Sequence, residues 1–402
     1  MDEASQIGLY HRKGTLMDHR LFIIAGEKSG DLLGAHLIAA LMKLVPNSKI
    51  QGIGGPEMRA EPFECIMRME EFEIMGFSDI ITSLPKLKRQ FCSVRDHILK
   101  TKPDTVIFID YPGFNLKMAK SLRKHGYKGK LIQYVSPTVW AWGKKRIEQM
   151  ANTLDLLLTI YPFEKEFFKN SPLNVRYVGN PIREIIGKHH YDENWAKLFG
   201  IKNPENLVAI FPGSRKSEIQ LNLPFQLKAA EMLKRENASV QFAISCAHDK
   251  IMPVIHHIME DNSLQLNKDI FLVPKAYSYE LMRDCRSAIA KSGTVTLELA
   301  LHKRPTVVLY KLTLLNQLIA KYFMKLNLPN YCIVNILKNE TVFPELIAKG
   351  LTPQNIYHHM ATLNNDSLER KRCINACEEL GEILKEEDAS TTAAKAIEEL
   401  LK

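Results

Sequence analysis

The sequence predicts an α/β protein built from two Rossmann-like, doubly wound domains facing a cleft. Three observations predict it. Short apolar runs alternate with longer stretches at helical spacing, the rhythm of βαβ units and a parallel sheet. That rhythm pauses near residues 180–190 and then starts again. The chain has 402 residues, 46% hydrophobic and 25% charged, which suits a globular protein of two or three domains.

Taken in order, Arg20–Ala25 is the first strand, followed by a helix from about Asp31 to Leu44 and a strand at Ile50–Gly54. Thr105–Asp110 is a buried-strand run after the turn at Pro103, and Leu131–Val135 and Leu154–Ile160 continue the series. The second half offers Leu207–Phe211, Val240–Ser245, Ile270–Val273, Ser287–Ala290 and Thr306–Leu309. The segment from about Ser390 to Lys402 reads as a helix with an N-cap at its start. Residues 1–16 read as an extension or an upstream start, because Met17 precedes the first strand. The expected organisation is residues 1–19 as extension, 20–182 and 183–372 as the two domains, and 373–402 as C-terminal helices.

Composition narrows the partners. No apolar run approaches the roughly 20 residues of a membrane span. The formal charge of +9 fits an anionic partner, whether nucleotide, phospholipid surface or nucleic acid. The basic residues are dispersed and no nucleic-acid motif is present, so no nucleic-acid partner is expected. The seven cysteines are odd in number and mostly far apart, which reads as reduced thiols in the cytoplasm. The histidine pairs 189–190, 256–257 and 358–359 are adjacent rather than four apart, so no metal site is expected. No cofactor is expected either.

In a parallel sheet, chemistry sits in the loops that follow the strands. Ala25-Gly26-Glu27-Lys28-Ser29-Gly30-Asp31 is the first, and either a functional loop or turn chemistry alone explains its glycines. Gly52-Ile53-Gly54-Gly55-Pro56 resembles a dinucleotide fingerprint, but its third glycine is missing and Pro56 intrudes. Asp110 closes an apolar strand, where a carboxylate at a cleft can take a proton from a substrate hydroxyl; a helix cap is the alternative. Ser136, Trp140 and Trp142 precede Lys144-Lys145-Arg146, a loop that holds a sugar or anionic head group, or else simply packs.

In the second half, Gly213, Ser214 and Arg215 follow a strand and open a helix, an arrangement that favours phosphate. Ser292, Gly293 and Thr294 form a second such turn, and Glu298, one helical turn on, can reach a ribose hydroxyl. Two anion-binding turns in one domain suggest a nucleotide diphosphate. Two basic amphipathic stretches remain, Leu84–Ile98 with Lys86, Lys88 and Arg89, and Leu315–Leu326 with Lys321 and Lys325. Each either lies on an anionic membrane surface or turns its apolar face into the core.

In this order the loops resemble the lipid-A-disaccharide synthase family, glycosyltransferases of the GT-B fold. The resemblance runs from about residue 20 to the C-terminus. It rests on Ala25–Asp31, Gly55-Pro56, Met75-Gly76, Asp110 with Pro112, Phe114 and Asn115, and above all Tyr134–Trp142. Pro162-Phe163-Glu164, Pro212–Arg215, Ser292–Thr294 with Glu298, and Leu328-Pro329-Asn330 continue it. It implies a metal-independent, inverting transfer from UDP-2,3-diacylglucosamine to 2,3-diacylglucosamine-1-phosphate (lipid X), giving a β(1→6) disaccharide phosphate and UDP. The site implied is peripheral, on the cytoplasmic face of a Gram-negative inner membrane. Residues 20–182 would then bind acceptor and lipid, and 183–372 the UDP-sugar. Asp110 would be the general base, Arg215 and the turn amides would meet the diphosphate, and Glu298 would hold ribose. Glu27 and Asn330 are further functional polar residues by resemblance alone.

The sequence departs from the family pattern at Lys28, at Gly113, where a second acidic residue is common, and at Asn180, where His is usual. Another GT-B enzyme, such as a UDP-N-acetylglucosamine 2-epimerase, is the rival reading. Oligomeric state, a homo-oligomer included, stays open.

Overall fold

The structure is a computed structural model. It describes residues 18–71, 77–139, 145–311, 330–384 and 388–402. The chain divides into two compact units: residues 18–178 with 388–402, and residues 179–384.

The first unit carries a parallel sheet of seven strands: β1 (Arg20–Ala25), β2 (Lys49–Gly54), β3 (Glu64–Arg68), β4 (Thr105–Ile109), β5 (Lys130–Tyr134), β6 (Leu156–Thr159) and β7 (Val175–Tyr177). Their spatial order is β3-β2-β1-β4-β5-β6-β7. The central strands are buried on both faces, as a parallel sheet between helical layers requires. Alternate residues of β1 serve opposite layers. Leu21, Ile23 and Ala25 pack with Leu37, Ile38 and Leu41, whereas Phe22 and Ile24 pack with Val94, Ile98, Leu116 and Leu122.

Three strands escaped the sequence reading. β3 and β7 are edge strands with no buried residue, and neither holds an apolar run longer than three residues. The last, β13 (Glu345–Ile347), is likewise a short edge strand, in the second unit. The first helix spans Lys28–Leu44, so it starts three residues before the expected Asp31. Ser29 therefore lies in the first helical turn rather than in a free loop.

The second unit repeats the architecture with β8 (Leu207–Phe211), β9 (Gln241–Cys246), β10 (Ile270–Pro274), β11 (Ser287–Lys291), β12 (Thr306–Tyr310) and β13, in the order β10-β9-β8-β11-β12-β13.

The C-terminal helices part company. Leu368–Ile383 belongs to the second unit, but Ala389–Leu401 packs on the first. There Ala393, Ala394, Ala396 and Ile397 join the core layer of the Lys28–Leu44 helix. Asp388 caps this helix through Thr391 N–H at 3.2 Å, and Arg176 pairs with Glu399. An apolar stripe shows that a helix is covered, not which sheet covers it, so grouping residues 373–402 together does not describe this chain.

The strand orders single out one place in each unit. Leaving β1 the chain moves to β2 on one side, and β4 lies on the other. The loops after β1 and β4 therefore flank a topological switch point, and those after β8 and β11 flank another. Ligands of open α/β sheets bind outside the carboxyl ends of strands at such points. All four loops at these two switch points are ones the sequence reading selected.

Candidate active site

In the first unit β4 ends at Ile109, and the next two residues leave the strand in the left-handed region, Asp110 at φ +50° and Tyr111 at φ +41°. Neither is glycine, and each costs about 1–3 kcal/mol. Asp110 N–H donates to Tyr134 O at 2.9 Å, and Asn115 Nδ2 donates to Asp110 O at 2.6 Å. Ring packing completes the turn. Tyr111 stacks on Phe114, with centroids 5.9 Å apart, and passes over Gly26, where a Cβ would come within 2.5 Å of the ring. Gly26 is needed for that approach.

The turn aims the half-buried Asp110 carboxylate at the start of the Lys28–Leu44 helix. Ser29 Oγ donates to Asp110 Oδ2 at 3.3 Å. Burial pushes the Asp110 carboxyl above its ordinary value, opposed by the hydrogen bonds from Ser29 and from the Tyr111 backbone. Glu27 is exposed at the N-cap of that helix. Burial, then the Glu27 charge, raises the Tyr111 phenol. Asp31, in contrast, is structural. Its buried carboxylate accepts N–H bonds from Gly55 (2.7 Å), Glu57 (3.0 Å) and Met58 (3.1 Å). Those are the amides a dinucleotide pyrophosphate would use, so the Gly52–Pro56 loop is already satisfied from within. Gly113 is exposed, with no atom within 4 Å of where a Cβ would stand, so nothing steric requires glycine there.

In the second unit Gly213 adopts φ +118° and leads into the helix Lys216–Glu236. The amides expected to meet phosphate already hold an anion, the Glu218 carboxylate. Its Oε2 accepts from Ser214 N–H (3.1 Å) and Arg215 N–H (3.4 Å), and its Oε1 pairs with Arg215 Nη1 and Lys291 Nζ, both at 3.1 Å. Burial alone would raise the Glu218 carboxyl; the Lys291 charge and these donors outweigh it and hold it low. Lys291 is the last residue of β11, directly before Ser292, Gly293 and Thr294, so Glu218 ties the two turns together. Gly293 and Thr294 are exposed at the start of the helix Thr294–Leu301. Glu298, half-buried on that helix, accepts a hydrogen bond from Tyr279 Oη at 3.2 Å, and burial raises its carboxyl.

The remaining expected residues scatter. Ser136 is buried, and its Oγ donates to Pro137 O at 3.1 Å. Asn330 is half-buried in the second unit, beside Tyr331, whose N–H donates to Glu345 at 2.9 Å. Asn180 caps the helix Pro181–Lys188 through Ile182 N–H at 3.0 Å. Glu164 accepts Ile160 and Tyr161 N–H, a local cap rather than a reactive group. Lys86, Lys88 and Arg89 are exposed on the helix Phe77–Thr101, while its Val94 and Ile98 enter the core. Trp140, Trp142, Met75-Gly76, Leu328-Pro329 and the 315–326 stretch lie outside the described residues, as do residues 1–16. All seven cysteines are free thiols. Among the described residues no cluster of three His, Cys, Asp or Glu side chains suits a metal ion. Glu218 carried a sequence signal, a carboxylate three residues past an N-cap. Lys291 and Tyr279 carried none.

A family model described as lipid-A-disaccharide synthetase matches residues 21–399. The chain belongs to that family. It is 38% identical to the lipid-A-disaccharide synthase of Chlamydia pneumoniae over 97% of this chain and 63% of that protein. Against that of Chlamydia trachomatis serovar D, identity is 40% over 81% of this chain and 53% of that protein. The Coxiella burnetii synthase is 33% identical over 95% of this chain and 98% of that protein. The chain thus spans about half to two thirds of the length of these chlamydial relatives. Among solved structures, S. aureus MnaA in a co-structure with UDP aligns at TM-score 0.65 and 13% identity, covering 96% of this chain and 97% of that one. A Neisseria meningitidis UDP-GlcNAc 2-epimerase bound to UDP-GlcNAc aligns at TM-score 0.62 and 12% identity, covering 95% and 99%. At that identity the likeness concerns the fold, and this lipid-A-disaccharide synthetase family member has the paired doubly wound units of GT-B proteins.

Proposed function

We propose that this chain condenses UDP-2,3-diacylglucosamine with lipid X, forming the β(1→6) disaccharide-1-phosphate and UDP with inversion. Asp110 accepts the proton of the acceptor 6-hydroxyl. The freed oxygen bonds to the donor's anomeric carbon as the bond from that carbon to the diphosphate breaks, and the electron pair leaves with UDP. The observation that carries the reading is Asp110 itself, a carboxylate raised by burial, held in a strained turn at a switch point, with Ser29 beside it. In the second unit Arg215, Lys291 and the amides of the two turns meet the charge of departing UDP, with diphosphate oxygens replacing the Glu218 carboxylate on Ser214 and Arg215. Glu298, oriented by Tyr279, takes a ribose hydroxyl.

The test is incubation of the purified chain with both substrates and detection of the disaccharide by mass spectrometry. No product from folded protein that binds UDP would favour a soluble-sugar enzyme of the same fold. Arg215→Ala is expected to weaken UDP about 10- to 100-fold, the size of a lost charged hydrogen bond. Unchanged UDP affinity in calorimetry would remove Arg215 from the donor site.

No described helix is long and apolar enough to cross a membrane. We infer peripheral attachment to the cytoplasmic face of the inner membrane through Lys86, Lys88 and Arg89, each contributing about 1 kcal/mol near an anionic surface. Replacing all three with Gln is expected to lower partitioning onto phosphatidylglycerol vesicles at least 10-fold at low salt. Equal sedimentation with wild type would leave the helix as a plain surface element.

A further inference from the structure

Gln133 is a fully buried polar residue one position before the end of β5, inside an otherwise apolar run. Its Nε2 lies 3.0 Å from Asp110 O, 3.3 Å from Tyr134 O and 3.1 Å from Val135 O. Three carbonyl oxygens around one atom leave it only a donor's role, which fixes the amide's orientation. Its Oε1 has no partner among the described residues, so the side chain is held by its donors alone. Two of the three carbonyls belong to residues in the left-handed region, Asp110 at φ +50° and the β-branched Val135 at φ +73°. A β-branched residue there is an outlier that only its surroundings can hold. Asn115 also donates to Asp110 O, but among the described side chains only Gln133 bonds both Asp110 O and Val135 O.

We propose that Gln133 is a positioning residue: its amide clamps the Asp110 turn to the Val135-Ser136 turn and keeps the Asp110 carboxylate aimed at Ser29. The proposal rests on reading Asp110 as the general base. Among the described residues the Gln133 amide contacts backbone carbonyls only, so Gln133 acts through the turn that carries Asp110.

Gln133→Met keeps the length and removes the donors. In its crystal structure Asp110 is expected to leave positive φ, or its Oδ2 to move beyond 3.5 Å from Ser29 Oγ. Retention of both features would overturn the proposal, whatever the protein's activity. In the disaccharide assay kcat is expected to fall about 10- to 100-fold, the cost of misplacing a reacting group by about an ångström, with the donor KM within twofold. In an Asp110→Asn background the same change should cost nothing more, and a full additional loss would overturn the route through Asp110. Should Gln133→Met fail to fold, Gln133→Asn withdraws the same amide by one methylene and should lower kcat about tenfold; an unchanged kcat counts against the clamp. If Asp110→Asn alone keeps full turnover, the base reading falls, and the crystallographic comparison still decides the clamp.

Discussion

Asp110→Asn is expected to lower turnover by about 10²–10⁴-fold, the usual worth of a general base, while UDP affinity stays within about twofold. Asn is the informative replacement. It is nearly isosteric, and it tolerates the left-handed region that Asp110 occupies at φ +50° better than Ala does. The base must be ionised to work, and burial raises its carboxyl above the ordinary value. The acid limb of kcat/KM should therefore lie above the position expected for a solvated aspartate, and Asp110→Asn should remove it.

The same shift sets the sign of the stability effect. A carboxyl held high in the folded state contributes stability below the unfolded value, and that contribution is lost as pH rises through the folded value. Above its folded value the ionised Asp110 thus burdens the fold, and there Asp110→Asn should hold or raise the thermal midpoint. A midpoint lower by more than about 4 °C, a loss of about 1–2 kcal/mol in a unit of this size, would mean the turn itself had broken. Equal loss of UDP binding and turnover would end the base assignment.

Asp31→Ala is expected to cost about 3–5 kcal/mol of stability, the largest effect foreseen outside the chemistry. The Asp31 side chain is 1% exposed and takes three backbone N–H bonds at 2.7–3.1 Å. Removing it orphans the buried amides of Gly55 and Met58 and the part-buried amide of Glu57, and each unpaired buried donor costs about 1–3 kcal/mol. A Cβ on Gly55 would stand 2.3 Å from Asp31 Oδ2, so the carboxylate fills the space a side chain at 55 would take. Urea unfolding of the full chain measures the loss. Asp31→Asn, which keeps one acceptor oxygen, should lose less. UDP affinity should not change, because the contacts of Asp31 lie within the first unit. A loss under about 1 kcal/mol would mean that water reaches those amides.

The sequence had placed Ser29 and Asp31 in one loop, and the structure separates their roles. Ser29 and Asp31 are two residues apart, yet Ser29 touches Asp110 and Asp31 caps the Gly55 loop. Their helix begins at Lys28, and positions two apart on a helix face different directions. Asp110 itself was legible because an acid closing a buried apolar run has few inexpensive explanations. Glu298 was legible by its spacing from Thr294, but its hydroxyl partner Tyr279 was not, because that contact joins separate helices. Glu218 shows the limit most clearly. The sequence located an anion-binding turn at Ser214 and Arg215, and the structure shows an anion already seated there, supplied by the same helix and neutralised by Lys291 from another strand.

The sequence by itself determined the two doubly wound units, nearly every central strand and the four loops that end beside the switch points. These depend on local periodicity, turn residues and the cost of burying polar groups, all of which are properties of short windows. Tertiary structure alone decided which strands are neighbours, that the C-terminal helix returns to the first unit, and that Gln133 joins two strained turns. Strand order and cross-strand hydrogen bonds are settled by packing between segments far apart in the chain. A buried glutamine reads in sequence as one polar interruption, and it becomes a clamp only when folding sets three carbonyls around its amide.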